Sequence, residues 1–471
     1  MSAGFKLLID GRLVDGATEF DVINPATGVS FAKCPKADIA QLNEAVAAAK
    51  SAFRAWSTTS IETRAEKVSS LATALEARAE EFAKLLTSEQ GKPFNQAMQE
   101  VMGGVSILSA FSRARLDDKI IRENVDATII EHRTPLGVVA AITPWNFPLA
   151  LLMNKIGPAL VAGNAVVAKP APTTPLTTLL FAALANEILP AGVLNVICDE
   201  NDLGAALTAH PDVRKVSFTG STATGKKVMG AAADTIKRVT LELGGNDAAI
   251  ILDDVDVAAV AAKVFQSAMA NAGQICVATK RVYVPSSLYN EFCNALATIA
   301  DSVVVGNGLQ DGVQMGPLQN QKQYDKVCAI IHESASLGEV IAGGEPLKRD
   351  GYFVPPTIVR NIPDDAALVR EEQFGPVLPI LAYDDLDELI DRVNASAYGL
   401  GGSIWSGDVQ RAIGVAKRID SGTVWVNQFL AMDPDIPFRG SKQSGIGAEL
   451  GEEGLFEYTQ PHIINALTVS A

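Results

Sequence analysis

The chain has 471 residues, 48% of them hydrophobic and 20% charged, which is enough apolar matter for two or three packed cores and excludes a disordered protein. Its formal net charge of −15 argues against a nucleic-acid partner, which would require a basic face. The opening MSAGFKLLIDG has no basic stretch leading into an apolar one, so no secretory signal is expected. The longest apolar run, Leu136 to Met153, is interrupted by Pro144, Asn146 and Pro148 and makes a poor membrane span.

Read in chain order, Asp38 is placed to cap a helix whose apolar residues Ile39, Leu42, Val46, Phe53 and Trp56 keep helical spacing. A second helix is predicted to start near Ser60, to carry Val68, Leu71, Leu75, Phe82 and Leu85, and to stop at Gly91 with Pro93 beyond. The segment 117–135, which alternates in ATIIEHRTP, reads as a β-hairpin able to leave the body as an arm. From residue 138 short β-rich runs alternate with helical stretches. The runs are VVAAI (138–142), AVVAK (165–169), LNVIC (194–198), KVSFTG (215–220) and RVTLEL (238–243), with helices at about 149–162, 174–188 and 221–234. Apolar strands alternating with helices predict a parallel sheet covered on both faces. RVYVP, PVLPILAY, GGSIWS and GTVWVN repeat the style in the second half, so the fold class is α/β with two parallel-sheet domains joined just after 242–245.

Five cysteines (Cys34, Cys198, Cys276, Cys293, Cys328) without CxxC spacing suit a reducing cytoplasm better than a disulfide framework. The four histidines are scattered away from cysteine or acidic clusters, so no metal site is expected. The loop Gly220-Ser-Thr-Ala-Thr-Gly-Lys226-Lys227 nearly fits a phosphate-binding GxxxxGK[ST], but Lys227 replaces the hydroxyl that would ligate magnesium, and ATP chemistry loses a required part. What remains is a strand ending in glycine before a helix N-terminus. That is either an anion site with free N–H groups and a positive dipole, or an ordinary turn.

Three segments fit together chemically. PWNFP (144–148) supplies the amide of Asn146, ELGG (242–245) the carboxylate of Glu242, and GQIC (273–276) the thiol of Cys276. Thiolate, base and amide donor are the parts required for covalent attack on a carbonyl with oxyanion stabilisation. Singly, each has an ordinary structural reading, a core cysteine or a solvated strand end. Together with Lys169-Pro170, FTGS, EEQFGP (371–376), PF-G-K-SG (437–445), INPATG (23–28) and GTVWVN (422–427), the segments resemble the aldehyde dehydrogenase superfamily, in its order and spacing, over nearly the whole chain.

The resemblance implies NAD(P)-dependent oxidation of an aldehyde to the acid, with Cys276 as nucleophile and Asn146 with the Cys276 N–H holding the oxyanion. Glu242 is implied as the base that activates water. Lys155 and Glu449 match a second pair that passes protons outward. For the cofactor, NAD or NADP, it implies Lys169 at the adenine ribose, Glu372 at the nicotinamide ribose and Phe374 near the nicotinamide. Gly220 and Ser221 would lie at the pyrophosphate, with Ile142, Trp145, Gly204, Thr219 and Leu243 lining the cleft. The family binds its dinucleotide without a GxGxxG turn, and none occurs here. Phe147, Leu151, Asn154, Ile275, Val277, Phe429 and Phe438 match the lining of a mostly apolar substrate tunnel. Beside it Arg439 either meets a distal carboxylate or points to solvent. Implied too are a dinucleotide-binding domain (1–116 and 136–242), a catalytic domain (243–459) and an arm (117–135 and 460–471) that pairs subunits into homodimers or homotetramers.

The chain departs from the pattern in three places. Pro172 stands where many NAD-preferring members carry a glutamate that repels a 2′-phosphate, Arg439 makes PFRG of the usual PFGG, and Ala448 replaces an arginine before Glu449. A coenzyme A-acylating relative would lack Glu242, and a binding protein on the same scaffold would lack Cys276; both residues are present.

Overall fold

In the computed structural model, which describes residues 4–467, the alternation after residue 138 resolves into an eight-stranded sheet. From one edge its strands are Arg12–Val14, Leu7–Ile9, Leu194–Val196, Ala165–Lys169, Val138–Ile142, Val213–Thr219, Arg238–Glu242 and Gly445–Ile446. The five from Leu194–Val196 to Arg238–Glu242 run parallel, and every residue of Val138–Ile142 and Ala165–Lys169 is buried, as a sheet covered on both faces requires. The strand read as LNVIC is shorter, ending at Val196.

Chain order reverses inside this sheet. From Val138–Ile142 the next two strands step one way, whereas Val213–Thr219 and Arg238–Glu242 step the other. Loops leaving the C-terminal ends of Val138–Ile142 and Val213–Thr219 therefore diverge and open a crevice at that switch point, the usual ligand site of open α/β sheets. Register puts Ile142 beside Lys169 and Phe218, and Thr219 beside Glu242, so these ends are level.

A seven-stranded sheet follows, ordered Glu339–Ala342, Thr357–Arg360, Val377–Tyr383, Thr279–Pro285, Asp247–Ile251, Gly401–Trp405 and Thr423–Val426. Only its first pair is antiparallel. Glu242 ends a strand of the first sheet and Asp247 begins one of the second, so ELGG crosses between them. Late in the chain, Gly445 returns to pair with Glu242 antiparallel, fixing that strand end from its open side.

The hairpin consists of Lys119–Glu123 and Ala127–Pro135, and Thr459–Leu467 pairs with the latter along its whole length. Residues 468–471 of the expected arm lie outside the described residues.

Two helical expectations are corrected. The helix from Ser60 to Gly91 is two, Ile61–Ala77 and Ala79–Gln90, broken at Arg78. The local sequence Glu76-Ala-Arg-Ala-Glu80 consists of good helix formers, so propensity does not account for the break. Asp38 caps Ile39–Trp56 with a capping box to Gln41, but Ile39 in its first turn is 51% exposed and lies off the buried stripe of Leu42, Val46 and Trp56.

Candidate active site

The thiol hangs from a strained turn. After the helix Val257–Met269, Asn271, Ala272 and Gly273 all take positive φ, at 50°, 53° and 71°. Such backbone costs on the order of 1–3 kcal/mol per non-glycine residue and persists only where surroundings enforce it. Here they do. Asn271 Nδ2 donates to Asn146 O at 3.1 Å, Gln274 Nε2 donates to Asn271 O at 2.9 Å, and Lys280 Nζ donates to Gly273 O and Ile275 O at 2.8 and 2.9 Å. A Cβ at Gly273 would stand 2.3 Å from Gly375 O, so the turn is also pressed against the segment carrying Glu372 and Phe374. Cys276 is partly buried, and burial pushes its thiol up to about 12, with the carboxylates of Glu372, Glu242 and Asp247 adding to the effect and Lys280 opposing it.

The two glycines of ELGG are explained by what they approach. A Cβ at Gly245 would meet Cys276 O at 2.5 Å, and one at Gly244 would meet Glu372 Oε2 at 2.5 Å. Glu372 accepts from the Gly245 N–H at 3.0 Å. Glycine thus brings the strand end of Glu242 against both the thiol segment and the Glu372 segment. Glu242 is buried with neither carboxylate oxygen hydrogen-bonded, and burial, then repulsion from Glu449, raises its pKa well above that of an ordinary glutamate. A carboxyl held proton-hungry in a dry site is suited to general-base work.

Asn146 follows the strand Val138–Ile142 and donates from Nδ2 to Gln274 O at 2.9 Å, two residues before Cys276. This leaves its second N–H for another acceptor. Lys155 and Glu449, which sequence leaves open to a surface location, form a buried ion pair at 2.6 Å; Lys155 also donates to Thr219 Oγ1 at 2.7 Å. Asn154, expected to line the tunnel, spends its Nδ2 on Glu449 at 3.1 Å.

On the crevice side, Lys169 is paired with buried Asp199. A Cβ on Gly204 would stand 3.5 Å from Lys169 Cε, and Thr143 Oγ1, just past Ile142, is buried without a partner. Gly220 lies where a Cβ would be 2.5 Å from the Phe218 ring, Ser221 caps the helix Thr222–Ala233, and Leu243 packs where a Cβ on Gly225 would be 2.5 Å away. Trp145 meets Phe374 edge-on at 5.3 Å, and Phe374 has φ of 51°. An open crevice with an orphan hydroxyl, glycines at close approaches and an exposed helix N-terminus fits a dinucleotide.

On the other side, Ile275, Val277 and Phe438 are buried, while Phe147, Leu151 and Phe429 are partly buried. Arg439, in contrast, is about half exposed and paired with Glu453.

Sequence reasoning missed Lys92, Glu100, Asp199, Asn271, Gln274 and Lys280. Lys92 was hidden in GKP, where Gly91 and Pro93 read only as a helix stop. Lys280 did carry a signal, because a charged pair, Lys280-Arg281, sits in the wholly buried strand Thr279–Pro285, which has no other charged residue.

The profile of the aldehyde dehydrogenase family matches residues 13–464. The 3-sulfolactaldehyde dehydrogenase of Pseudomonas putida is 38% identical over 97% of this chain and 95% of its own length. The mitochondrial succinate-semialdehyde dehydrogenase of Arabidopsis thaliana is also 38% identical, over 96% and 87%. Among solved structures, the NAD+ complex of an aldehyde dehydrogenase from Bacillus cereus superposes with a TM-score of 0.96 at 37% identity, covering 99% of this chain and 97% of that one. With a thiol, a buried base and an amide gathered at a sheet crossing, and a match along almost its entire length, this chain belongs to the aldehyde dehydrogenase family.

Proposed function

We propose that the chain oxidises an aldehyde to its carboxylic acid with NAD, and with NADP as a second cofactor, through covalent catalysis at Cys276. The observation that carries this is Glu242, buried, unpartnered and charge-coupled to Cys276 where both glycines of ELGG bring the segments together. The thiolate attacks the carbonyl carbon, and the new alkoxide is held by the free N–H of Asn146 and the Cys276 backbone N–H. Gly220, Ser221, Lys169 and Glu372 would hold the dinucleotide, which would supply the hydride acceptor needed for the adduct on Cys276 to become a thioester. Glu242 takes a proton from water, the hydroxide adds to the thioester, and the Cys276 thiolate leaves as the acid forms. The buried Lys155–Glu449 pair, which sits in the field of Glu242, relays that proton outward.

Pro172 removes a carboxylate that would repel a 2′-phosphate, which supports acceptance of both dinucleotides. The substrate is an aliphatic or aromatic aldehyde, in keeping with Phe147, Leu151, Phe429 and Phe438. An aldehyde bearing a distal acid is the second reading, favoured by the relatives' sulfolactaldehyde and succinate-semialdehyde names; Arg439, tied to Glu453, gives it no support. The protein works in the cytoplasm as a dimer or tetramer joined through the three-stranded arm, with the dinucleotide on the first sheet and the catalytic turn against the second.

Cys276→Ala should lower turnover by roughly 10⁴-fold or more while dinucleotide binding survives. Glu242→Gln should still give up to one equivalent of reduced cofactor per site in rapid mixing, then stall, with acyl adduct on Cys276 by mass spectrometry of quenched enzyme. Substantial steady turnover in Cys276→Ala would refute the reading.

A further inference from the structure

Lys280 has no part in the mechanism above. It lies in the buried strand Thr279–Pro285, four residues after Cys276, and is itself 1% exposed. Its ammonium donates to Gly273 O and Ile275 O, the carbonyls that flank Gln274 in the turn leading to the thiol, and lies 5.1 Å from the Phe374 ring centroid. Bringing an ammonium out of water costs several kcal/mol unless partners compensate, and a threonine or valine would fill this strand position without that cost. We propose that Lys280 is a positioning residue for the nucleophile: it pins the left-handed turn by two backbone carbonyls and places a positive charge on the turn that carries the thiol.

The electrostatics agree. Three acidic groups from three different segments face the thiol, namely Glu242 from the first sheet, Asp247 from the second and Glu372 from the loop before Phe374, and all three disfavour the thiolate. Lys280 is the cation that opposes them at Cys276. Burial lowers Lys280 itself to about 8, against the support of Glu372, Asp247 and Cys276, with Lys326 lowering it further. Its charge is thus held on below about pH 8 and lost above, so the help it gives the thiolate is greatest near neutrality.

The proposal rests on Cys276 being the nucleophile, and the experiment separates the two. The full-length protein, without cofactor, is treated with iodoacetamide across pH 6–10. Cys276 alkylation, in which the thiolate displaces iodide, is followed by peptide mass spectrometry together with residual activity. In wild type, alkylation of Cys276 should abolish activity; if activity persists at complete alkylation, the nucleophile assignment fails. Lys280→Gln keeps N–H donors for the two carbonyls but removes the charge, and Lys280→Met removes both. Lys280→Gln should alkylate about tenfold more slowly at pH 7, and the gap to wild type should close above about pH 8, where wild-type Lys280 gives up its charge. Lys280→Met should show the same slowing near neutrality and also a lower thermal midpoint. If Lys280→Met fails to fold, Lys280→Gln and Lys280→Arg still decide the matter, the latter keeping a rate at pH 7 closer to that of wild type. An unchanged alkylation profile in Lys280→Gln overturns the role of Lys280 and leaves Cys276 standing.

Discussion

Glu242 shows how one residue trades stability for chemistry. Its raised pKa means that the fold favours the protonated form, whereas catalysis uses the deprotonated one. The stability it contributes is full below its ordinary value of 4.5 and is lost as pH rises through the elevated value. Glu242→Gln is therefore expected to raise the thermal midpoint at pH 8 and to change it much less at pH 5, while steady turnover falls at least about 10²-fold. In wild type, deacylation should slow as pH drops through the same elevated value, with the burst less affected. Calorimetry and burst kinetics over pH 5–9 check both arms; a midpoint difference independent of pH would mean that Glu242 is not a buried charge. Cys276, Glu242 and Asn146 were legible because the reaction demands those types and the glycines next to them demand close approach. Asp199 and Lys280 were not, because a buried charge is chosen by its three-dimensional partner, and Asp199 lies 30 residues from Lys169 in sequence.

At the scale of elements, the oxyanion donor is held by a clamp built from helices that never touch the chemistry. Lys92, just past the helix Ala79–Gln90, is wholly buried and donates to Asn146 O at 2.8 Å with its ammonium 3.6 Å from the Phe147 ring centroid. Its partner Glu100 lies in the helix Phe94–Phe111 and accepts from the Leu149 and Ala150 N–H groups at 3.0 and 3.3 Å. Glu100 thereby caps the helix Pro148–Ala162, which has no side-chain cap of its own and carries Lys155. Removing one member of a buried pair strands the other, so Glu100→Ala should destabilise by about 3–5 kcal/mol. The double change Lys92→Met with Glu100→Leu should recover most of that stability, yet kcat should stay at least tenfold low because Asn146 loses one of the donors that fix its backbone. Urea unfolding beside steady-state kinetics separates the effects, and wild-type kcat in the double variant would dismiss the clamp. The helices themselves were readable from apolar spacing. The break at Arg78 was not, since its residues are all good helix formers, and the cross-helix pairing was not, since it joins segments distant in the chain.

For the whole molecule, strand–helix alternation announced two parallel sheets, but not the strand order that puts the first sheet's reversal next to the strand ending in Glu242, nor the return of Gly445–Ile446 to the first sheet's edge. The arm was readable for the opposite reason, as alternating residues with no place in either sheet. In the single chain every residue of Lys119–Glu123 is exposed, as are all of Thr459–Leu467 after its first, with Ile120, Ile121, Ile463, Ile464 and Leu467 among the exposed apolar side chains. A three-stranded sheet with apolar residues in water and an open edge at Lys119–Glu123 is an association surface or an aggregation hazard. Among the described residues no helix is long and apolar enough to cross a membrane. Sedimentation at micromolar concentration is expected to give a dimer or tetramer. Ile464→Asp together with Ile120→Asp should shift it to monomer with a lower thermal midpoint. Cys276, Glu242, Asn146 and Lys280 all belong to one chain, so the monomer should keep its cofactor burst and the rate of Cys276 alkylation at pH 7. A wild-type protein that sediments only as monomer would refute the assembly, and loss of the burst in a folded monomeric variant would show that the partner subunit completes the site.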